Sequence, residues 1–228
     1  MKHRITYLIL FLCVAPWAIS QNDCSMYYPL IEGAEFQITN YDKKDKPTAV
    51  IDYKVLDVSS TGSEKVGTMQ GTVKDKKGKD LSEMKFKVTC RDNKLSVDFN
   101  SLLSPEMVDQ FKNMDYDITG TNLDWPNDIS VGQTLPDANM TMKISISGMN
   151  MTMSMDILNR KVIGKETVTT PAGTFDCYVV TYDTEVDMGI RQKTSSKQWV
   201  AKGVGMVKQE DSKNGKIMDT SLLTKFSK

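Results

Sequence analysis

From Asn139 to Asp156 the chain alternates apolar and polar residues on both sides of Ser147-Gly148, and few folds accept that pattern. Successive side chains of a strand point to opposite faces, so a two-residue turn at Ser147-Gly148 sets Ile146 against Met149, Ile144 against Met151, Met142 against Met153 and Met140 against Met155. All eight apolar side chains then share one face. Thr141, Lys143, Ser145, Asn150, Thr152, Ser154 and Asp156 collect on the other. One dry and one wet face is the mark of a half-buried antiparallel sheet.

Alternating segments of this kind recur along the chain, separated by turn residues, which favours an antiparallel meander over βαβ units. Strands are expected at Glu35 to Tyr41, Ala49 to Val58, Lys65 to Lys74, Met84 to Cys90 and Lys94 to Phe99. Within the second of these, Ile51, Tyr53 and Val55 alternate with Asp52 and Lys54. The charge runs Asp42-Lys43-Lys44-Asp45-Lys46 and Asp75-Lys76-Lys77-Gly78-Lys79 read as solvated hairpin tips. Further strands are expected at Val162 to Thr169, Phe175 to Met188, Gln198 to Ala201 and Val204 to Gln209. A type I′ turn at Asn214-Gly215 should set Val207 opposite Leu222. One short helix interrupts the series: Ser104 can cap it, Pro105 suits its first position, and Met107, Val108, Phe111 and Met114 repeat at helical spacing. The expected fold is mainly β, a single antiparallel and strongly curved sheet or half-barrel of about ten strands, lipocalin- or LolA-like, with the helix as a lid.

Residues 1 to 20 resemble a secretory signal: Lys2, His3 and Arg4 are basic, Ile5 to Val14 is apolar, and Ala18-Ile19-Ser20 offers a cleavage site before Gln21. The apolar run falls short of the about 20 residues needed to span a bilayer, so no transmembrane segment is expected. Neither Cys13 after Leu12 nor Cys24 after Asp23 follows the small residue of a lipoprotein signal. The expectation is an exported protein of the bacterial periplasm or envelope, with a lipoprotein as the lesser alternative and residues 21–228 forming a single β-rich domain. Loss of Lys2 and Arg4 takes the basic residues from 29 to 27 against 29 acidic ones, a net charge of −2. With lysines scattered among aspartates, nucleic acid is not an expected partner.

The single histidine, His3, leaves with the signal. That removes Ser-His-Asp and Cys-His catalysis and the common zinc sites, so no enzyme, catalytic residue, metal or cofactor is expected. Of the remaining cysteines, Cys24, Cys90 and Cys177, an oxidising compartment allows one bridge; Cys24 with one of the other two is preferred, since an N-terminal segment gains most from being tied down.

Thr169-Thr170-Pro171-Ala172-Gly173-Thr174-Phe175-Asp176-Cys177-Tyr178, then Lys197-Gln198-Trp199-Val200-Ala201-Lys202-Gly203-Val204-Gly205-Met206-Val207-Lys208, resemble the TapB-like family of exported bacterial proteins, related to domains of unknown function. The lead from Cys24 to Gly33 and the stretch Val131-Gly132-Gln133-Thr134-Leu135-Pro136 resemble it too. The resemblance implies an antiparallel β-fold in the envelope and no established activity, and it supplies no catalytic residue.

The methionine face admits three readings. Thioethers bind Cu(I), yet neighbours two apart on a strand are about 6.6 Å apart and no Cys or His joins them. Methionine also fills irregular core space. The preferred reading is a cavity face for an apolar small molecule or lipid, made by Met140, Met142, Ile144, Ile146, Met149, Met151, Met153 and Met155, under a lid carrying Met107, Val108, Phe111 and Met114. A structural or partner-binding module with a filled core is the alternative. Asp183, Glu185 and Asp187 lie too far apart to hold one Ca²⁺ and read as a solvated face. Ser82-Glu83-Met84-Lys85 matches the S-x-x-K motif, but in a strand and without the helix that motif needs.

Overall fold

A computed structural model describes residues 27–98, 115–146 and 149–228 of the 228-residue chain. Among the described residues the regular elements are all strands: β1 (Glu35–Asp42), β2 (Pro47–Thr61), β3 (Glu64–Asp75), β4 (Asp80–Arg91), β5 (Lys94–Val97), β6 (Asp115–Thr121), β7 (Leu123–Pro126), β8 (Ala138–Ile146), β9 (Met149–Thr170), β10 (Gly173–Asp187), β11 (Arg191–Ala201), β12 (Gly205–Lys213) and β13 (Lys216–Ser227). They form one antiparallel sheet in the order β6-β8-β9-β10-β11-β12-β13-β1-β2-β3-β4-β5-β7, curled into a nearly closed barrel. The curved antiparallel sheet is the expected fold class. Its 13 strands exceed the expected ten, and the helix and its lid residues Met107, Val108, Phe111 and Met114 fall outside the described residues.

Closure follows from β6 and β7. They occupy the two edges of the sheet, yet only Asn122 separates them in sequence. Their residues make one ribbon whose first half pairs with β8, Thr121 opposite Asn139, and whose second half pairs with β5, Leu123 opposite Val97. An unpaired strand edge is an aggregation hazard, and sharing one ribbon between both edges covers part of each.

Turn chemistry sets most registers. Asp92 and Asn93 both adopt positive φ, 52° and 58°, in the two-residue link between β4 and β5, and Asn214 and Gly215 do the same between β12 and β13. Both pairs have the signature of a type I′ turn. At the two lysine-rich tips an aspartate accepts from two backbone amides, Asp42 from Lys44 and Lys46, Asp75 from Lys77 and Lys79, so both runs are exposed hairpin tips as expected. The closing hairpin departs from expectation by one residue. Lys213 faces Lys216, but a bulge between Asp211 and Ser212 shifts the register, and Leu222 lies opposite Lys208 instead of Val207. Two separate strands were expected where β9 runs unbroken for 22 residues, and β11 begins at Arg191, well before Gln198.

One apolar cluster includes Tyr27, Leu30, Val55, Met69, Phe86, Val88, Leu95, Trp125 and Val162. A second cluster joins Ile38, Val179, Trp199, Val207 and Leu223. The lead-in segment is stitched to the wall: Gly33 donates to the Val55 carbonyl and Val55 donates back to Ala34, both at 2.9 Å. Cys90 is disulfide-bonded, while Cys177 is a buried free thiol, so the second cysteine proposed for a bridge with Cys24 is not Cys177. Cys24 itself lies outside the described residues.

Candidate functional site

The methionine hairpin has the register its alternation dictates: Met140 faces Met155, Met142 faces Met153, Ile144 faces Met151 and Ile146 faces Met149. The Ser147-Gly148 turn lies outside the described residues. Burial along the shared face is graded. Met142 and Ile144 are buried, Met140, Met153 and Met155 are half-buried, and Met151 is 53% exposed. On the opposite face Lys143, Asn150 and Thr152 are exposed, and Ser145 donates to Asn150 at 2.7 Å.

A change of face farther along β9 builds the site. Asn159 adopts φ +57° where the β9–β10 register slips, so that Leu158 faces Asp183 while Lys161 faces Thr181. A bulge inserts one extra residue and exchanges the faces beyond it. Before it Ile157 points inward; after it Arg160 and Val162 do. A bulge thereby delivers a guanidinium to the interior of a β-barrel.

Arg160 is 1% exposed. Its Nη1 donates to the carbonyl of Asp124 at 2.8 Å and to that of Pro136 at 2.5 Å, and its guanidinium carbon lies 4.7 Å from the centre of the Trp125 ring. Burial pulls its pKa down to about 10, against the upward pull of Tyr182, Asp124 and Asp137, so the group remains a cation at neutral pH. Its Nη2 is buried without a hydrogen-bond partner, and so is the hydroxyl of Tyr27.

Arg160 and Tyr27 both line a half-open cavity of about 270 Å³. Its wall is mostly aromatic and aliphatic, contributed by Phe36 of β1, Tyr53 of β2, Met84 and Phe86 of β4, Trp125 of β7, Val200 of β11 and Met206 of β12. Phe36 stacks on Tyr53 at 4.7 Å between ring centres, Tyr53 meets Phe86 edge-on at 6.4 Å, and Tyr27 meets Tyr178 edge-on at 6.2 Å. Such packing holds rings in fixed orientations. The polar groups Tyr182 and Gln198 also reach the cavity, but both donate to Oε1 of Gln209, at 2.9 and 2.8 Å. Gly205, at φ +97°, lets the Tyr27 carbonyl approach to where a Cβ would be only 3.3 Å away.

None of Met140, Met142, Ile144, Met151, Met153 or Met155 lines this cavity; the hairpin continues the same inward face beyond Ile157. Sequence reasoning missed Arg160, Tyr27, Trp125 and the Phe36–Tyr53–Phe86 stack. Only Arg160 left a signal, a charge among Ile157, Leu158 and Val162. The acidic strand face of Asp183, Glu185 and Asp187 is matched by cations: Lys193 lies 3.2 Å from Asp183 and 3.3 Å from Glu185, and Arg191 lies 3.6 Å from Asp187. Ser82 and Lys85 lie on strand β4, where the S-x-x-K helix is absent. Among the described residues no cluster of His, Cys, Asp or Glu could hold a metal ion, and no helix is long and apolar enough to cross a membrane.

A nearly closed antiparallel barrel with an aromatic cavity defines the class of protein. The chain belongs to the DUF3108-like family, whose model matches residues 31–223. It is similar to the crystal structure of an exported-type protein of Bacteroides fragilis with a YmcC-like fold, at 23% identity and a TM-score of 0.71, over 90% of this chain and 100% of that one. A lipoprotein-type protein of Parabacteroides distasonis matches equally, at 24% identity and a TM-score of 0.71, over 90% and 100% of the two chains. These likenesses define the fold. No curated protein matches the chain.

Proposed function

We propose that this is an exported, TapB-like envelope protein without enzymatic activity that holds one small apolar molecule inside its barrel. The cavity walled by Phe36, Tyr53, Phe86 and Trp125 carries the reading. At about 270 Å³ it lies just under the roughly 300 Å³ at which small-molecule sites usually begin. An apolar occupant would remove that ring-lined surface from water, which is favourable. Residues 1 to 20 support export, as do the names given to the two similar structures. Loss of the only histidine with the signal supports a non-enzymatic role. The methionine hairpin, from Met140 to Met155, extends the apolar lining toward one end of the barrel and adapts to cargo of varied shape.

Native mass spectrometry of protein purified from its own cells tests this reading. A retained small mass, lost on substituting Val200 by Trp to fill the cavity, is expected. A bare chain in every preparation overturns it. Docking of a protein partner is the second reading, favoured by Met188 and Ile190, which are 64% and 77% exposed beside Gly189 between β10 and β11. The same spectra would then show a second chain at fixed stoichiometry.

A further inference from the structure

The cavity has a polar feature that an apolar cargo leaves unused. Arg160 presents a planar fork of donors at its wall, one arm of which is spent on the carbonyls of Asp124 and Pro136 while the other, Nη2, is buried with no partner. Among the described residues no carboxylate forms an ion pair with it. A buried polar atom without a partner is costly, and a buried cation more so. Guanidinium forks suit carboxylate and phosphate oxygens, to which they donate in the plane. Tyr27, which also lines the cavity, has a hydroxyl that is likewise buried and unpartnered, a second donor. Both flank the Trp125 ring, whose centre is 6.5 Å from that of Tyr27 and 4.7 Å from the Arg160 guanidinium carbon.

We infer that the cargo is a single-chain amphiphile with an anionic oxygen head, its head held by Arg160 and Tyr27 and its tail by the aromatic wall. This rests on the cavity-binding reading above and adds the head-group chemistry. Size sets the tail. At roughly 30 Å³ per water-sized group, about 270 Å³ takes about nine such groups, the size of one short chain.

The test compares hexanoate, 1-hexanol and hexylamine on the full chain, with the Trp125 indole resonance as the reporter. Hexanoate is expected to bind between about tenfold and a hundredfold more tightly than hexanol, the worth of one charged hydrogen bond, and hexylamine not at all. Arg160→Met is expected to bring hexanoate down to the level of hexanol. Tyr27→Phe, which keeps the ring and the fold, should weaken hexanoate and leave hexanol unchanged. Equal affinity of hexanoate and hexanol for the unaltered protein overturns the anionic head and leaves the apolar cavity standing. Failure of all three to bind overturns both. Because the comparison on the unaltered chain needs no variant, misfolding of Arg160→Met does not rescue the proposal.

Discussion

Arg160 on β9 donates to the carbonyl of Asp124 on β7 across 2.8 Å, although those two strands share no ladder. The bond crosses the seam at which the barrel closes. One side chain thus serves the wall and faces the cavity.

Replacing Arg160 by Met should therefore lower stability as well as binding. Two charge-assisted bonds and a cation–π contact are lost, while the burden of a buried charge is relieved. The net loss is expected to be about 2–4 kcal/mol, read from the urea midpoint. Arg160→Lys should recover little of it, since a single ammonium cannot copy the fork.

Gly120 on β6 sits at φ +153° with the Asn139 carbonyl oxygen 2.1 Å from where a Cβ would stand. Backbone cannot yield as a side chain does, so Gly120→Ala should cost about 2 kcal/mol or more and free the β6 edge. Hydrogen exchange at the amides of β8 would report the detachment. Gly67→Ala, which meets only the flexible end of Leu30 at 2.5 Å, should cost less.

Acid should destabilise the fold. The Glu166 carboxyl is held below its ordinary range by the Trp199 indole, which donates to it at 2.7 Å, with Lys197 adding to the effect. Asp183 is lowered by the Ser195 hydroxyl at 2.7 Å, then by Asn159 and Lys193. A carboxyl with a depressed folded-state pKa contributes stability that is whole above the unfolded value, about 4, and lost as the pH falls through the folded one. Urea midpoints should hold from neutral pH to about 4 and drop below it, with a shallower drop in Trp199→Phe.

Alkali should act through the interior. Burial pushes the Cys177 thiol up to about 11 and the Tyr182 hydroxyl up to about 12. Both are raised, so their neutral forms stabilise the fold below the ordinary values, and that contribution is lost as the pH rises through 11 and 12. Iodoacetamide at pH 8 should leave Cys177 unmodified in the native protein and label it fully in urea, as peptide mapping would show.

The hairpin register was legible because period-two alternation leaves one solution for Met140 to Met155. Turn residues were legible for the same local reason, as at Asn214-Gly215. Bulges were not. The irregularity between Asp211 and Ser212 moved Leu222 by one residue, and the one at Asn159 turned Arg160 inward, yet neither needs a glycine or proline to announce it. The site was illegible for a further reason: its wall takes one or two residues from each of many strands, and only closure of the sheet brings Phe36, Phe86 and Trp125 together. Strands β6 and β7 escaped notice because each is short and sits on an edge.

Asn122 is the covalent link between the two edge strands of the wall. Lengthening the chain there would leave the ladders on either flank in place but loosen the Arg160–Asp124 tie across the seam. Closure of this barrel therefore depends on the length of that link as much as on the ladders beside it.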